Sequence, residues 1–185
     1  MKKILLAFLL AIMLPLSAFA ISLDEINSSP NRYVKVTEDA KNAFYVDVST
    51  IKSLRYSPPY YVLQCRSFYI SYERNYICQQ LDSTFSYDYN KNYISQLKKI
   101  ISSRPNCKAE QISQLLDLAD EEVKKDSGII YNAEAVDFYN FDGTYQFSAP
   151  PAYAEKVIFG SNLYATADFV FKKYYGISFT SGSSD

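Results

Sequence analysis

Two neighbouring stretches, Tyr60 to Tyr72 and Asn75 to Tyr89, constrain the fold of this chain more than any other feature, because both are strand-like and only Glu73 and Arg74 lie between them. Aromatic and β-branched residues suit a half-buried pleated surface, and so short a gap between two such runs is a hairpin turn. In the second run Ile77, Leu81, Phe85, Tyr87 and Tyr89 point one way and Ser86, Asp88 and Asn90 the other, the period of two expected of a strand. A long hairpin therefore forms the centre of an antiparallel sheet.

The flanking sequence adds strands on both sides. Tyr33 to Val36 and Ala43 to Val48 read as two short strands joined by Thr37 to Asn42. Asp47, Ser49 and Thr50 suit a strand exit, and Ser57, Pro58 and Pro59 impose an extended break. Further on, Ile129 to Phe138 and Thr144 to Ser148 read as strands joined through Asp142-Gly143, a dipeptide favoured in hairpin turns, with Pro150 and Pro151 ending that ribbon.

Between the two ribbons the period becomes helical. Ile94, Leu97, Ile100 and Ile101 share one face up to Arg104 and Pro105. A second helix from Ala109 to Lys125 has Ile112, Leu115, Leu116, Ala119 and Val123 as its buried stripe, and Gly128 as terminator. A last helix starts at Ser161 or Asn162, buries Leu163, Ala167, Val170, Phe171 and Tyr174, and stops at Gly176. Ile177 to Phe179 is expected as a short edge contact, and residues 180–185 as a disordered tail. The expected fold is α+β: an antiparallel β-sheet with a long central hairpin, and two mid-chain helices and a C-terminal helix packed on it, as a single domain over residues 21–179.

Residues 1–20 carry a different signal. Lys2 and Lys3 precede an apolar run from Ile4 to Leu14, then Pro15 and the small-x-small ending Ala18-Phe19-Ala20. This pattern predicts a Sec-type signal peptide cleaved before Ile21, and so a periplasmic, cell-surface or secreted protein. No second apolar segment is long enough to span a bilayer, which takes about 20 residues. Without Lys2 and Lys3, 17 basic face 20 acidic side chains, a charge of −3. Nucleic acid and anionic lipid want clustered Lys and Arg, so neither is an expected partner.

The chain has no histidine. That excludes Ser-His and Cys-His catalysis and His-containing zinc sites, and leaves carboxylate, lysine or tyrosine chemistry open. No catalytic residue, cofactor or metal site is identified. Asp47, Asp82 and Asp88 read as isolated strand carboxylates. The acid-rich stretch Asp117, Asp120, Glu121, Glu122 and Asp126 reads as a solvated helix face, with Glu121 set to pair with Lys124 or Lys125. Asn140 to Thr144 is similar to the nucleophile loop of haloacid-dehalogenase-type phosphatases, but Asn140 stands where the attacking carboxylate belongs, and a hairpin turn explains the segment.

Cys65, Cys78 and Cys107 raise the question of a disulfide in an exported protein. If the long hairpin turns between Tyr72 and Asn75, Cys65 opposes Asp82 and Cys78 opposes Tyr69, an offset of about 13 Å at strand rise. A bridge requires a Cα separation below about 7 Å. Any disulfide therefore joins Cys107 to Cys78 or Cys65, the alternative being three buried free thiols.

The 18 tyrosines, with no tryptophan, supply sheet packing and, for a few of them, an exposed recognition face. The run Phe44-Tyr45-Val46-Asp47, Ser49 and Ile51, followed by a long Tyr-rich hairpin, resembles the surface-adhesin protein E family of small exported bacterial domains over residues 33–89. The chain departs from that pattern in having Tyr33 in place of a Trp and a larger insertion between Ile94 and Lys125. The resemblance implies an antiparallel-sheet module that binds a host or envelope macromolecule, and it assigns no binding residues. A non-enzymatic, adhesin-like binding module is the first expectation, and a periplasmic hydrolase using carboxylate or tyrosine chemistry the alternative. A catalyst requires a deep pocket of convergent ionisable groups enclosing residues such as Tyr69, Tyr76 and Asp82, whereas a binder shows a shallow Tyr-rich surface.

Overall fold

The computed structural model describes residues 21–104 and 112–181; the leader expected at residues 1–20 and Cys107 lie outside them. In chain order the elements are helix α1 (Leu23–Ser28), strands β1 (Tyr33–Glu38), β2 (Asn42–Ser57), β3 (Tyr60–Ser71) and β4 (Tyr76–Asp88), helices α2 (Tyr93–Ser102) and α3 (Ile112–Lys125), strands β5 (Ile129–Asn140), β6 (Tyr145–Ala149) and β7 (Ala152–Lys156), and helix α4 (Asn162–Tyr175). The strands form one antiparallel sheet in the order β1-β2-β3-β4-β5-β6, with β7 also paired to β5. The expected α+β class holds, with both β2–β3 and β3–β4 as long hairpins.

The sheet buries a different face at each end. Along β3, Leu63 and Cys65 belong to one buried cluster and Phe68 and Ile70 to the other. Residues an odd number apart in a regular strand point opposite ways, so the two clusters lie on opposite faces. Tyr164, Ala167, Val170 and Phe171 of α4 close the first cluster together with Phe179, and Ile21 and Ile26 close the second. Neighbouring strands follow the change of face through irregularities. In β4 an extra residue near Asp82, whose φ is 52°, shifts the register against β3. As a result Cys65 opposes Ser83, one position from the expected Asp82, while Cys78 opposes Tyr69 as expected.

β2 runs past its expected exit at Asp47 because that residue is satisfied from inside. Its carboxylate is fully buried and accepts hydrogen bonds from Arg32 Nε (3.1 Å) and Nη2 (2.9 Å), from Ser49 N (3.2 Å) and from Ser49 Oγ. Thr50 Oγ1 donates to the Asp47 carbonyl (2.7 Å) and accepts from Arg66 N (2.8 Å). These bonds hold a bulge in which five steps along β2 match two along β3, from Asp47 opposite Arg66 to Lys52 opposite Gln64. β2 then continues to Ser57 and turns directly into β3 through a cis Pro58–Pro59 pair, with Ser57 opposite Tyr60. The proline pair is a tight turn rather than an extended break.

Other departures have equally local causes. α1 is a six-residue helix capped by Ser22, too short to show a period. Pro150-Pro151 interrupts the edge ribbon, but β7 resumes pairing with β5 at Ala152. Ile177 to Phe179 adds no strand: Phe179 is a core residue whose carbonyl accepts from Asn92 Nδ2 (2.8 Å). Thr180, expected in a loose tail, bonds Asp168 Oδ1 through its N (2.8 Å) and Oγ1 (3.0 Å). α2 and α3 pack chiefly on each other, so Leu115, Ala119 and Val123 are buried while Ile112 and Leu116, expected in the same stripe, are exposed. Lys91 joins this helical hairpin to the sheet end through Asp126 (2.8 Å). No described helix is long and apolar enough to cross a membrane.

Burial pulls the Asp47 carboxyl up, but hydrogen bonds from Arg32 and Ser49 outweigh it and hold the group below the ordinary aspartate value. A depressed folded value means that this contribution is complete above the unfolded value of about 3.9 and is lost as pH falls through the folded one. Asp47→Ala is predicted to cost about 2–4 kcal/mol at pH 7. In urea unfolding followed by circular dichroism, the gap between wild type and Asp47→Asn should close below pH 4; a gap independent of pH would contradict this.

Candidate recognition surface

At the tip of the β2–β3 hairpin, the end of β2, the start of β3 and the last turn of α4 bring tyrosines together in layers. Phe171, a core residue on α4, forms the base. On it rest Tyr61, with ring centroids 5.3 Å apart and the planes at 87°, and Tyr175, at 4.8 Å. These two pack edge-on at 5.3 Å, and Tyr61 also meets Tyr89 at 6.1 Å. Above this floor Tyr56 contacts Tyr61 (5.6 Å) and Tyr175 (5.8 Å), and Tyr174 packs on Tyr175 at 4.9 Å. Exposure rises outward through the stack: the floor is half-buried, whereas Tyr56 is 68% and Tyr174 46% exposed.

Local sequence accounts for this arrangement. Tyr56 and Tyr61 are directly opposed across the hairpin, the geometry in which cross-strand aromatic pairs interact. Gly176, in the left-handed conformation at φ 75°, ends α4 immediately after Tyr174 and Tyr175, fixing where those rings lie. Helical spacing placed Tyr174 in the buried stripe; instead it stands clear of the sheet and packs on its neighbour. Tyr175 Oη lies 3.4 Å from Ser53 Oγ. Burial first, and then the neighbouring phenols, push Tyr61 above the ordinary tyrosine value; burial also raises Tyr175. Both are therefore neutral hydroxyls at physiological pH. Exposed Lys173 precedes Tyr174 on α4, whereas Lys52 and Arg55, opposite Gln64 and Val62, lie on the other face of the sheet.

Of the carboxylates singled out from sequence, Asp47 and Asp82 stand apart, whereas Asp88 and Asp126 border one open hollow of about 450 Å³ at the sheet end and both face Lys91. Asp47 is bound by Arg32 and Ser49. Asp82 accepts from Gln64 Nε2 (2.8 Å) beside an open hollow of about 350 Å³, where it is the single bordering acid. Asp88 caps the 3-10 turn at Asn90 and lies 3.9 Å from Lys91. Tyr69 and Tyr76 share no closed cavity with Asp82; they lie half-exposed on the opposite face from Gln64, packed on each other at 6.0 Å. Asp142 and Gly143 form the expected turn, with Gly143 N donating to Asn140 O (3.0 Å). Glu121 pairs with Lys124 (3.5 Å), whereas Asp126 holds Lys91 in addition to ending the helix. Cys65 and Cys78 are buried and not bridged to each other, and burial pushes each thiol up to about 12; a bridge from either to Cys107 lies outside the described residues. Among the described residues no group of three His, Cys, Asp or Glu side chains converges as metal ligands.

Comparison with protein-family models, with curated proteins and with solved structures finds no match to this chain. The layered tip gives a direct expectation for stability. Tyr61→Ala removes a floor ring and should cost about 2–4 kcal/mol, whereas Tyr56→Ala removes an outer ring and should cost about 1 kcal/mol. Equal costs in chemical denaturation would show that the tip is not layered in this way.

Proposed function

We propose that this is an exported, non-enzymatic binding module of the cell surface or envelope, adhesin-like in action, which engages a host or envelope macromolecule through the tyrosine tip. The carrying observation is the layered stack: Tyr56 and Tyr174 are held ready on Tyr61 and Tyr175, which are themselves anchored on Phe171. Binding through exposed side chains normally costs conformational entropy, about 0.5–1.5 kcal/mol for each one immobilised. Rings already ordered by their neighbours avoid much of that cost. Tyrosine also offers a large apolar face and a hydrogen-bonding hydroxyl on two torsions, the property that makes it frequent in recognition surfaces.

Asp47, Asp82 and Asp88 lie apart, each engaged by its own partner, and Asp126, which borders the same hollow as Asp88, is paired with Lys91 at 2.8 Å; this argues against the hydrolase alternative, because acid-base catalysis needs two available groups within reach of one substrate. The leader pattern at residues 1–20 supports export, and an intact mass starting at Ile21 is the expected product.

The test uses the purified chain and a Tyr56→Ala/Tyr174→Ala variant on a panel of outer-membrane vesicles, peptidoglycan and extracellular-matrix glycoproteins. At least one panel member should bind saturably, and the variant should bind it at least about tenfold more weakly with an unchanged circular dichroism spectrum. Undiminished binding by the folded variant, or retention of none of the panel, would overturn the proposal.

A further inference from the structure

Half of one sheet face is bare. Leu63 and Cys65 of β3 share a buried cluster with α4, so Val62, Gln64 and Arg66 point to the other side of the sheet. On that side Ile21 and Ile26 cover only the far end, over Phe68 and Ile70. The uncovered part continues across the strands in register: Arg55 opposes Val62, Val62 opposes Ser86 and Ser86 opposes Ile130, while Lys52 opposes Gln64 and Gln64 opposes Thr84. Arg55, Lys52 and Ile130 are exposed and Val62, Thr84 and Ser86 half-exposed, so none of the described residues lies over them.

This face collects cations that nothing neutralises. Arg55, Lys52 and Arg66 stand in three successive rows of the β2–β3 pair, steps of about 7 Å along the strands. None of the three forms an ion pair with a described residue, and Arg66 Nε is buried with no hydrogen-bond partner. Two open hollows follow the file. One, of about 350 Å³, is bordered by Lys52, Arg66 and Asp82, and the other, of about 450 Å³, by Arg55, Tyr60 and Ser86. Acceptors alternate with the cations: exposed Asp82 takes Gln64 Nε2 on Oδ1 alone, and Asp88 stands directly opposite Tyr60. Tyr60 is 46% exposed and packs on no other described ring.

We propose that this face binds a linear acidic polysaccharide, a chain of uronic-acid sugars whose carboxylates meet Arg55, Lys52 and Arg66 and whose hydroxyls donate to Asp82 and Asp88. Charge complementarity selects the occupant. The chain as a whole carries a net charge of −1, so a file of cations without internal partners is a local exception that an anion completes, and a guanidinium matches a carboxylate with two parallel hydrogen bonds. A bare phosphate polymer or an anionic bilayer brings only acceptors, which Asp82 and Asp88 repel. A sugar chain brings hydroxyl donors between its charges, and those two carboxylates then accept. The open ring of Tyr60, with its negative face, suits the C–H side of a pyranose. The site is independent of the tyrosine tip, which lies on the opposite face of the same hairpin.

Isothermal titration of the purified chain with polygalacturonate, inorganic polyphosphate and dextran tests it. Polygalacturonate should bind saturably and at least about tenfold more tightly than polyphosphate, and dextran, which has hydroxyls without charge, should not bind. Lys52→Gln/Arg55→Gln, at two exposed positions, should weaken polygalacturonate at least about tenfold with an unchanged circular dichroism spectrum. Lys98→Gln/Lys99→Gln, which removes the same charge from α2, should leave the affinity within about twofold. No binding of polygalacturonate, equal affinity for polyphosphate or dextran, or an equal loss in the two variants would each overturn the proposal.

Discussion

Phe171 is the contact on which the rest of the structure depends. Its ring meets five others: Tyr61 at 5.3 Å, Tyr87 at 4.9 Å, Tyr89 at 6.1 Å, Tyr175 at 4.8 Å and Phe179 at 5.4 Å. Through these contacts it docks α4 on the sheet, holds the segment after α4 in the core, and forms the base of the tyrosine tip. Edge-to-face aromatic pairs add about 0.5–1.5 kcal/mol each beyond the area they bury. Truncation to alanine at such a position typically costs about 3–5 kcal/mol, so core stability and the order of the tip are coupled through one side chain.

Without tryptophan or histidine, the chain assigns tyrosine to different tasks by depth. Tyr87 is buried, and its hydroxyl donates to the Ala167 carbonyl of α4 (2.8 Å), fixing the helix on the sheet. A buried hydroxyl without such a partner would be costly, so this bond specifies where α4 lies. Tyr61 and Tyr175 occupy the boundary, half-buried with their rings packed on Phe171. Tyr56 and Tyr174 are outside, ordered by rings alone. The gradient from core to solvent is continuous, which makes the tip a rigid extension of the core rather than a loose decoration.

Much of the fold was legible because it follows period. The β3–β4 hairpin, the Asp142-Gly143 turn and α4 with its Ser161 and Gly176 ends all announce themselves through spacing and capping residues. What period does not carry is a change of phase. Asp47, Ser49 and Thr50 have the composition of a strand exit, yet Arg32, 15 positions away, supplies the partner that keeps them inside β2. Asp82 shifts the register by one residue without any Gly to mark it. The candidate surface was legible only as an excess of tyrosine. Tyr56 and Tyr61 become neighbours because the proline pair closes a tight turn, and Tyr174 leaves the buried stripe because α4 ends beside it, neither of which a local pattern encodes.

The most direct measurement is a hydroxyl-radical footprint of the chain, read residue by residue by mass spectrometry, with and without a saturating amount of a macromolecule it retains. Tyr56 and Tyr174 are predicted to lose most of their reactivity on binding, while Ile101 and Ile112 on the helical hairpin keep theirs. Protection confined to the helical hairpin, with Tyr56 and Tyr174 as reactive as in the free protein, would contradict the account.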